Sequence, residues 1–131
     1  MIIVGSQIFF KGLPNYFPKD IDYVEIVEKN PISVHFNDKC IFQIVRKPKE
    51  KLLDDVFRSI PMAMGKFLVP GFIKEFDITI EDLKKLEPIT RKLDAKHRYE
   101  KIIFDSYIEN GDFYLTDEQR MKAYEEYLKY R

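Results

Sequence analysis

Two aspartates separated by one residue, Asp20 and Asp22, stand in the segment Asp20-Ile21-Asp22-Tyr23-Val24, and Gly5-Ser6 precedes them near the start of the chain. Side chains at i and i+2 of a strand point to one face. The two carboxylates can thus converge on one cation while Ile21 and Tyr23 pack on the other side. Mg²⁺ is commonly held by one or two carboxylates, several waters and phosphate oxygens, so this pair is enough to begin a site. Gly5 ends the apolar run Met1-Ile2-Ile3-Val4, where a glycine permits a tight turn and close backbone approach. Ser6 adds a hydroxyl and an N–H suited to phosphate oxygens. The chemistry these residues suit is the holding of a divalent metal beside a triphosphate.

Positioning those groups requires a sheet. Ile2 to Val4 reads as one strand and Ile21 to Glu28 as a second, with Val24 and Ile26 on one side and Tyr23, Glu25 and Val27 on the other. Ser33 to Phe36 and Cys40 to Val45 read as a hairpin across Asn37-Asp38. Between Phe9 and Pro18, Pro14 and Pro18 oppose a long helix, which leaves a loop with at most one helical turn. After Pro48 the period becomes helical. Leu52, Leu53, Val56, Phe57 and Ile60 share a face, and Pro61 stops or kinks that helix. Met62 to Phe76 reads as a short helix and a bend, interrupted by Gly65 and Pro70-Gly71. Thr79 is placed to cap a helix from Ile80, with Asp82 completing a capping box. Leu93, Tyr99, Ile102, Ile103 and Ile108 predict an amphipathic helix ending near Asn110-Gly111. Thr116-Asp117-Glu118-Gln119 opens a last helix whose expected apolar face is Met121, Tyr124 and Leu128. The expected fold is α+β in a single domain: a small mixed or antiparallel sheet over 1–60 packed with a helical tail over 61–131.

Composition narrows the function classes. Among 131 residues, Lys+Arg and Asp+Glu both number 22, so a globally basic nucleic-acid binder is not indicated. Hydrophobic residues at 45% and aromatics at 15% specify a folded globule rather than a disordered tail. Cys40 is the only cysteine, which excludes an intrachain disulfide and a cysteine-based zinc cluster and suits a reducing cytoplasm. No apolar run approaches a membrane span and no signal-peptide pattern opens the chain, so the expectation is a soluble, cytoplasmic protein with no membrane partner.

With Gly5-Ser6, Asp20-Ile21-Asp22 and an apolar strand before each, the chain resembles the polymerase-beta-like nucleotidyltransferase superfamily, in particular its small predicted-nucleotidyltransferase branch. The specific motif covers roughly the first quarter of the chain. The tail (Lys96-His97-Arg98-Tyr99, Ile102-Ile103, Asn110-Gly111) is similar in layout only. The resemblance implies that Asp20 and Asp22 ligate Mg²⁺, that Gly5 and Ser6 hold the triphosphate, and that a hydroxyl attacks the α-phosphorus with release of pyrophosphate. Lys11 or Arg46 would neutralise phosphate charge. A third acid is expected on the strand Cys40 to Val45, where the polar residue is Gln43. Glutamine at that place favours an alternative, an inactive nucleotidyltransferase-fold module that works by binding. An unrelated α+β domain carrying an accidental match is a third reading. The acceptor, RNA or protein among others, is not specified.

The remaining groups have plainer explanations. His35 and His97 lack ligand spacing and read as surface or interface residues. Cys40 reads as a small buried side chain. The run Arg46-Lys47-Pro48-Lys49-Glu50-Lys51 reads first as a solvated connection, and otherwise as a contact for triphosphate or an RNA backbone. Arg91-Lys92 through Lys96-His97-Arg98 is placed on one helix with a mixed solvent face. The tail tyrosines read as packing residues, and those left exposed near the C-terminus are candidates for a homodimer interface.

Overall fold

A computed structural model describes residues 2–18, 20–29, 34–58, 68–91 and 93–130. The chain is α+β and divides into two compact units, Met1–Pro48 and Lys49–Arg131. The first unit closes at Pro48, so the helix starting at Lys49 belongs with the other helices rather than with the sheet.

In the first unit the strands are β1 (Ile2–Val4), β2 (Ile21–Val27), β3 (Val34–Phe36) and β4 (Lys39–Val45), and helix α1 spans Ser6–Phe10. The sheet is mixed, in the order β1-β2-β4-β3. β1 runs antiparallel to β2, β2 parallel to β4, and β3 antiparallel to β4. The hairpin turns at Asn37 and Asp38 with φ of 48° and 60°, the left-handed pair a two-residue type I′ turn requires and Asn and Asp tolerate best.

Register divides the side chains between two faces. Val4 pairs with Asp22, Asp22 with Cys40, and Cys40 with His35. On this face Val4, Val24 and Cys40 are buried, and α1, which lies against β1, adds buried Phe9 and Phe10. Tyr16 meets Phe10 edge-on at 6.1 Å and 72° and is buried too. The aromatic segment between the glycine-serine turn and the aspartates thus supplies much of this unit's core, while Phe17 stands 72% exposed. The opposite face carries Ile3, Tyr23, Ile41 and Val34 in one row, and no described residue on it is buried.

The second unit contains α2 (Lys49–Arg58), α3 (Pro70–Glu75), α4 (Ile80–Lys84), α5 (Glu87–Thr90), a 3₁₀ turn (Ala95–His97), α6 (Arg98–Asn110) and α7 (Asp117–Lys129). Pro70 begins α3 instead of interrupting a helix: at the first position its missing N–H is one that has no partner in any helix. The expected helix over Met62 onward, and the stop at Pro61, lie outside the described residues. Both capping boxes form. Thr79 N–H donates to Asp82 Oδ2 at 3.0 Å and Asp82 N–H to Thr79 Oγ1 at 3.1 Å. Thr116 and Gln119 repeat the exchange at 3.0 and 3.2 Å. Gly111, at φ 68°, ends α6 in the left-handed conformation.

α6 and α7 pack together, with Tyr99 and Tyr127 edge-on at 5.4 Å. Leu68, Val69, Phe72, Leu83, Leu86, Ile103 and Phe104 fill the core of this unit. The Tyr107 hydroxyl donates to Leu68 O at 3.0 Å, and burial pushes its pKa up. On α7 the buried residues are Ala123 and Tyr124. Met121 and Leu128, expected in the apolar face, are each 40% exposed, because α7 turns the Tyr124 side toward α6 and leaves them at the margin. Among the described residues no helix is long and apolar enough to cross a membrane.

Candidate functional site

The turn between β1 and α1 meets the β2 aspartate at close range. Gly5 has φ 83° and ψ −170°, a conformation open almost only to glycine. A Cβ built there would lie 2.8 Å from Asp22 Oδ2. Sequence and register produce this contact together. The antiparallel pairing of Val4 with Asp22 ends β1 beside that carboxylate, and the absent side chain lets the backbone reach it. Asp22 is half-buried in a row between buried Val4 and buried Cys40. A carboxylate placed among apolar neighbours is costly unless a donor or cation compensates it.

Asp20 occupies a different setting. β2 begins at Ile21, so Asp20 is an exposed residue in the bend just before it. The expected i, i+2 pair within one strand is corrected to one strand carboxylate and one at its mouth. The first rung joining β2 to β4 is the bond from Ile21 N–H to Asp38 O at 2.9 Å, one residue beyond Asp20.

Ser6 begins α1, and its Oγ lies 2.7 Å from the Tyr16 hydroxyl. Tyr16 is the site residue sequence reasoning missed. It lies outside the motif read from the sequence, and its hydroxyl reaches Ser6 because the chain folds back over Phe10. Lys11 caps the far end of α1 and is exposed. Arg46 follows β4, where its N–H donates to Val27 O at 2.8 Å. Five strand positions separate Asp22 from Val27, which at about 3.3 Å per residue is ~16 Å. Arg46 therefore sits at the opposite end of the sheet from the Gly5–Asp22 contact, and the structure does not bring the two together.

Gln43 is also corrected. It pairs in register with Glu25, on the face away from Asp22, and its Nε2 donates to Glu25 Oε2 at 2.9 Å. The β4 residues that share a face with Asp22 are Cys40, Phe42 and Ile44. The position for a third acid is thus not Gln43, and β4 offers no carboxylate on that face. Among the described residues, no three His, Cys, Asp or Glu side chains converge as a metal cluster. What the turn offers a cation is a carboxylate at Asp22 with a second nearby in sequence at Asp20. These are hard oxygen donors, which suit Mg²⁺ rather than a thiophilic metal.

The other chemically capable residues lie elsewhere. His35 is exposed on β3. The expected single helix over Arg91 to Arg98 is broken into the residue after α5, a connection, the 3₁₀ turn and the start of α6. Lys49, read with a solvated basic run, pairs with Asp82 Oδ2 at 3.0 Å. Burial acts to raise the Asp82 pKa, but the Thr79 and Lys49 hydrogen bonds outweigh it and hold the carboxyl below the usual range. Among the tail tyrosines, Tyr99, Tyr107 and Tyr124 are buried, whereas Tyr114 and Tyr130 are exposed.

Glu100 is a buried carboxyl shifted by its surroundings. It is 5% exposed, and its Oε1 lies 3.3 Å from His97 Nδ1. Burial raises its pKa; the His97 hydrogen bond and charge, and Tyr99, pull the other way without cancelling the rise. The folded state thus holds this proton more tightly than the unfolded chain. Stability from Glu100 falls as pH climbs from its ordinary value of 4.5 toward the raised one. Glu100→Gln is expected to raise Tm at pH 7 by roughly 3–5 °C, on the order of 1 kcal/mol, and to gain little at pH 4. Thermal melts of both proteins at the two pH values check this; equal gains at both would contradict it.

No protein family, curated protein or solved structure matches this chain.

Proposed function

We propose that residues 1–48 form a nucleotidyltransferase-like site that binds a nucleoside triphosphate with Mg²⁺ and transfers its nucleotidyl group to an acceptor hydroxyl. The contact between the Gly5 turn and the Asp22 carboxylate carries this reading. A glycine at φ 83° lets the backbone come within close range of the half-buried Asp22 carboxylate. It suits a place where phosphate and cation approach the backbone. Asp22 would hold the cation from the strand and Asp20 from its mouth. Gly5 would leave room for a phosphate, and Ser6 would offer its N–H while Tyr16 orients its hydroxyl. Bound Mg²⁺ supplies charge neutralisation at the attacking and leaving oxygens. Lys11 is near enough in sequence to meet phosphate charge; Arg46 is assigned no part at this end of the sheet. A single cysteine fits a cytoplasmic protein, and the acceptor could be RNA or protein.

A second reading is favoured by one observation. The β4 face beside Asp22 presents Cys40, Phe42 and Ile44 where a third acid would activate the incoming hydroxyl. In that reading the same site binds a nucleotide without transferring it.

Calorimetric titration with each nucleoside triphosphate, with and without Mg²⁺, tests both. Metal-dependent binding by wild type should fall at least about tenfold, or ~1.4 kcal/mol, in the Asp20→Ala, Asp22→Ala double variant. Pyrophosphate release on adding acceptors then separates transfer from binding. A folded wild type that binds no nucleotide rules out both readings.

A further inference from the structure

The second unit contains a groove of about 470 Å³ at the junction of α5 and α6. Arg91 just beyond α5, Arg98 at the start of α6 and Lys101 one turn later line it, above Leu93 and Ile102. Two carboxylates line it as well, and each has its own ammonium. Asp105 pairs with Lys101 at 3.0 Å and Glu126 with Lys129 at 3.1 Å. That leaves the two guanidiniums. Among the described residues, the side chains of Arg91 and Arg98 have no hydrogen-bond or ion-pair partner.

Two like charges on one concavity, with the nearby acids already neutralised, call for an external anion. A guanidinium presents a planar fork of N–H donors matched to phosphate and carboxylate oxygens. Charge separates those two ligands: a phosphate monoester carries close to two negative charges at neutral pH and a carboxylate one. The apolar floor adds a second requirement, an uncharged portion to lie on Leu93 and Ile102. The volume falls in the range of small-molecule sites, about 300–1,000 Å³.

We propose that this groove binds a small phosphate monoester, with Arg91 and Arg98 on its phosphate and Leu93 and Ile102 beneath its uncharged part. The assignment is independent of the Asp22 site, because every group it uses belongs to the second unit.

The test is a titration of the full chain with ribose 5-phosphate at constant ionic strength, read from the arginine Nε–H signals by NMR. Saturable shifts at Arg91 and Arg98 with a Kd of about 1 mM or tighter are expected. Acetate should bind at least about tenfold more weakly. Arg91→Gln and Arg98→Gln should each weaken ribose 5-phosphate about tenfold. Both arginines are exposed, and a dispersed amide spectrum shows that each variant is folded. The wild-type titration decides the matter even if a variant fails to fold. No saturation in wild type, equal affinity for acetate, or full affinity in folded Arg91→Gln, Arg98→Gln protein would overturn the proposal. So would a phosphoserine peptide that binds tenfold tighter than ribose 5-phosphate, since the monoester would then belong to a protein partner.

Discussion

Gly5→Ala is expected to cost about 2 kcal/mol of stability and to remove metal-dependent nucleotide binding at the same time. The two losses have separate causes. At φ 83° and ψ −170° an alanine is strained whatever lies around it. The added Cβ would also lie 2.8 Å from Asp22 Oδ2, inside normal contact distance, so the carboxylate must turn away. A double-mutant cycle with Asp22→Ala separates them. Removing the carboxylate relieves the contact and leaves the backbone strain, so the two substitutions should couple rather than add. Denaturant melts of the four proteins supply the stabilities, and calorimetry supplies the binding. Strict additivity, or an alanine variant that binds nucleotide like wild type, would show that the close approach has no part in the site.

The largest stability loss is expected from Phe104→Ala, about 3–5 kcal/mol. Phe104 is 2% exposed on α6, in a core with Ile103, Leu83 and Leu86. Truncation removes the transfer energy of the ring and leaves a cavity that close-packed neighbours refill only in part. Leu128→Ala provides the contrast. At 40% exposure on α7, it should change stability by no more than about 0.5–1 kcal/mol. Urea melts followed by helical circular dichroism check the pair. Similar losses in both would mean that α7 buries the side expected from its sequence and not the side seen.

That contrast marks where the sequence was legible. Short-range chemistry was readable because the interacting groups lie within a few residues. Thr79 with Asp82, Thr116 with Gln119, the Asn37-Asp38 turn and the left-handed Gly111 all form as their residue types demand. Facing was harder. Gln43 and Cys40 both belong to β4, but only pairing with β2 and β3 decides which of them neighbours Asp22. Met121 and Leu128 satisfy a helical period that α6 does not use. Pro70 carries the same local signal whether it ends a helix or starts one, and the packing of buried Phe72 and Ile73 decides for a start. In the candidate site, residue types and spacing singled out Gly5 and Asp22, and the antiparallel pairing of β1 with β2 decides that they meet. The Tyr16–Ser6 bond was not legible, because it depends on how a ten-residue segment folds back on itself.

Cys40 gives this sheet a built-in clock. It is the chain's sole thiol, it is 7% exposed, and its register partner is Asp22. A thiol reagent reaches it when β4 parts locally from its neighbours, so the alkylation rate reports the opening free energy at this one place. Any ligand that binds only the closed sheet slows that rate by the factor 1 + [L]/Kd. Occupancy beside Asp22 can thus be timed chemically, with no turnover required.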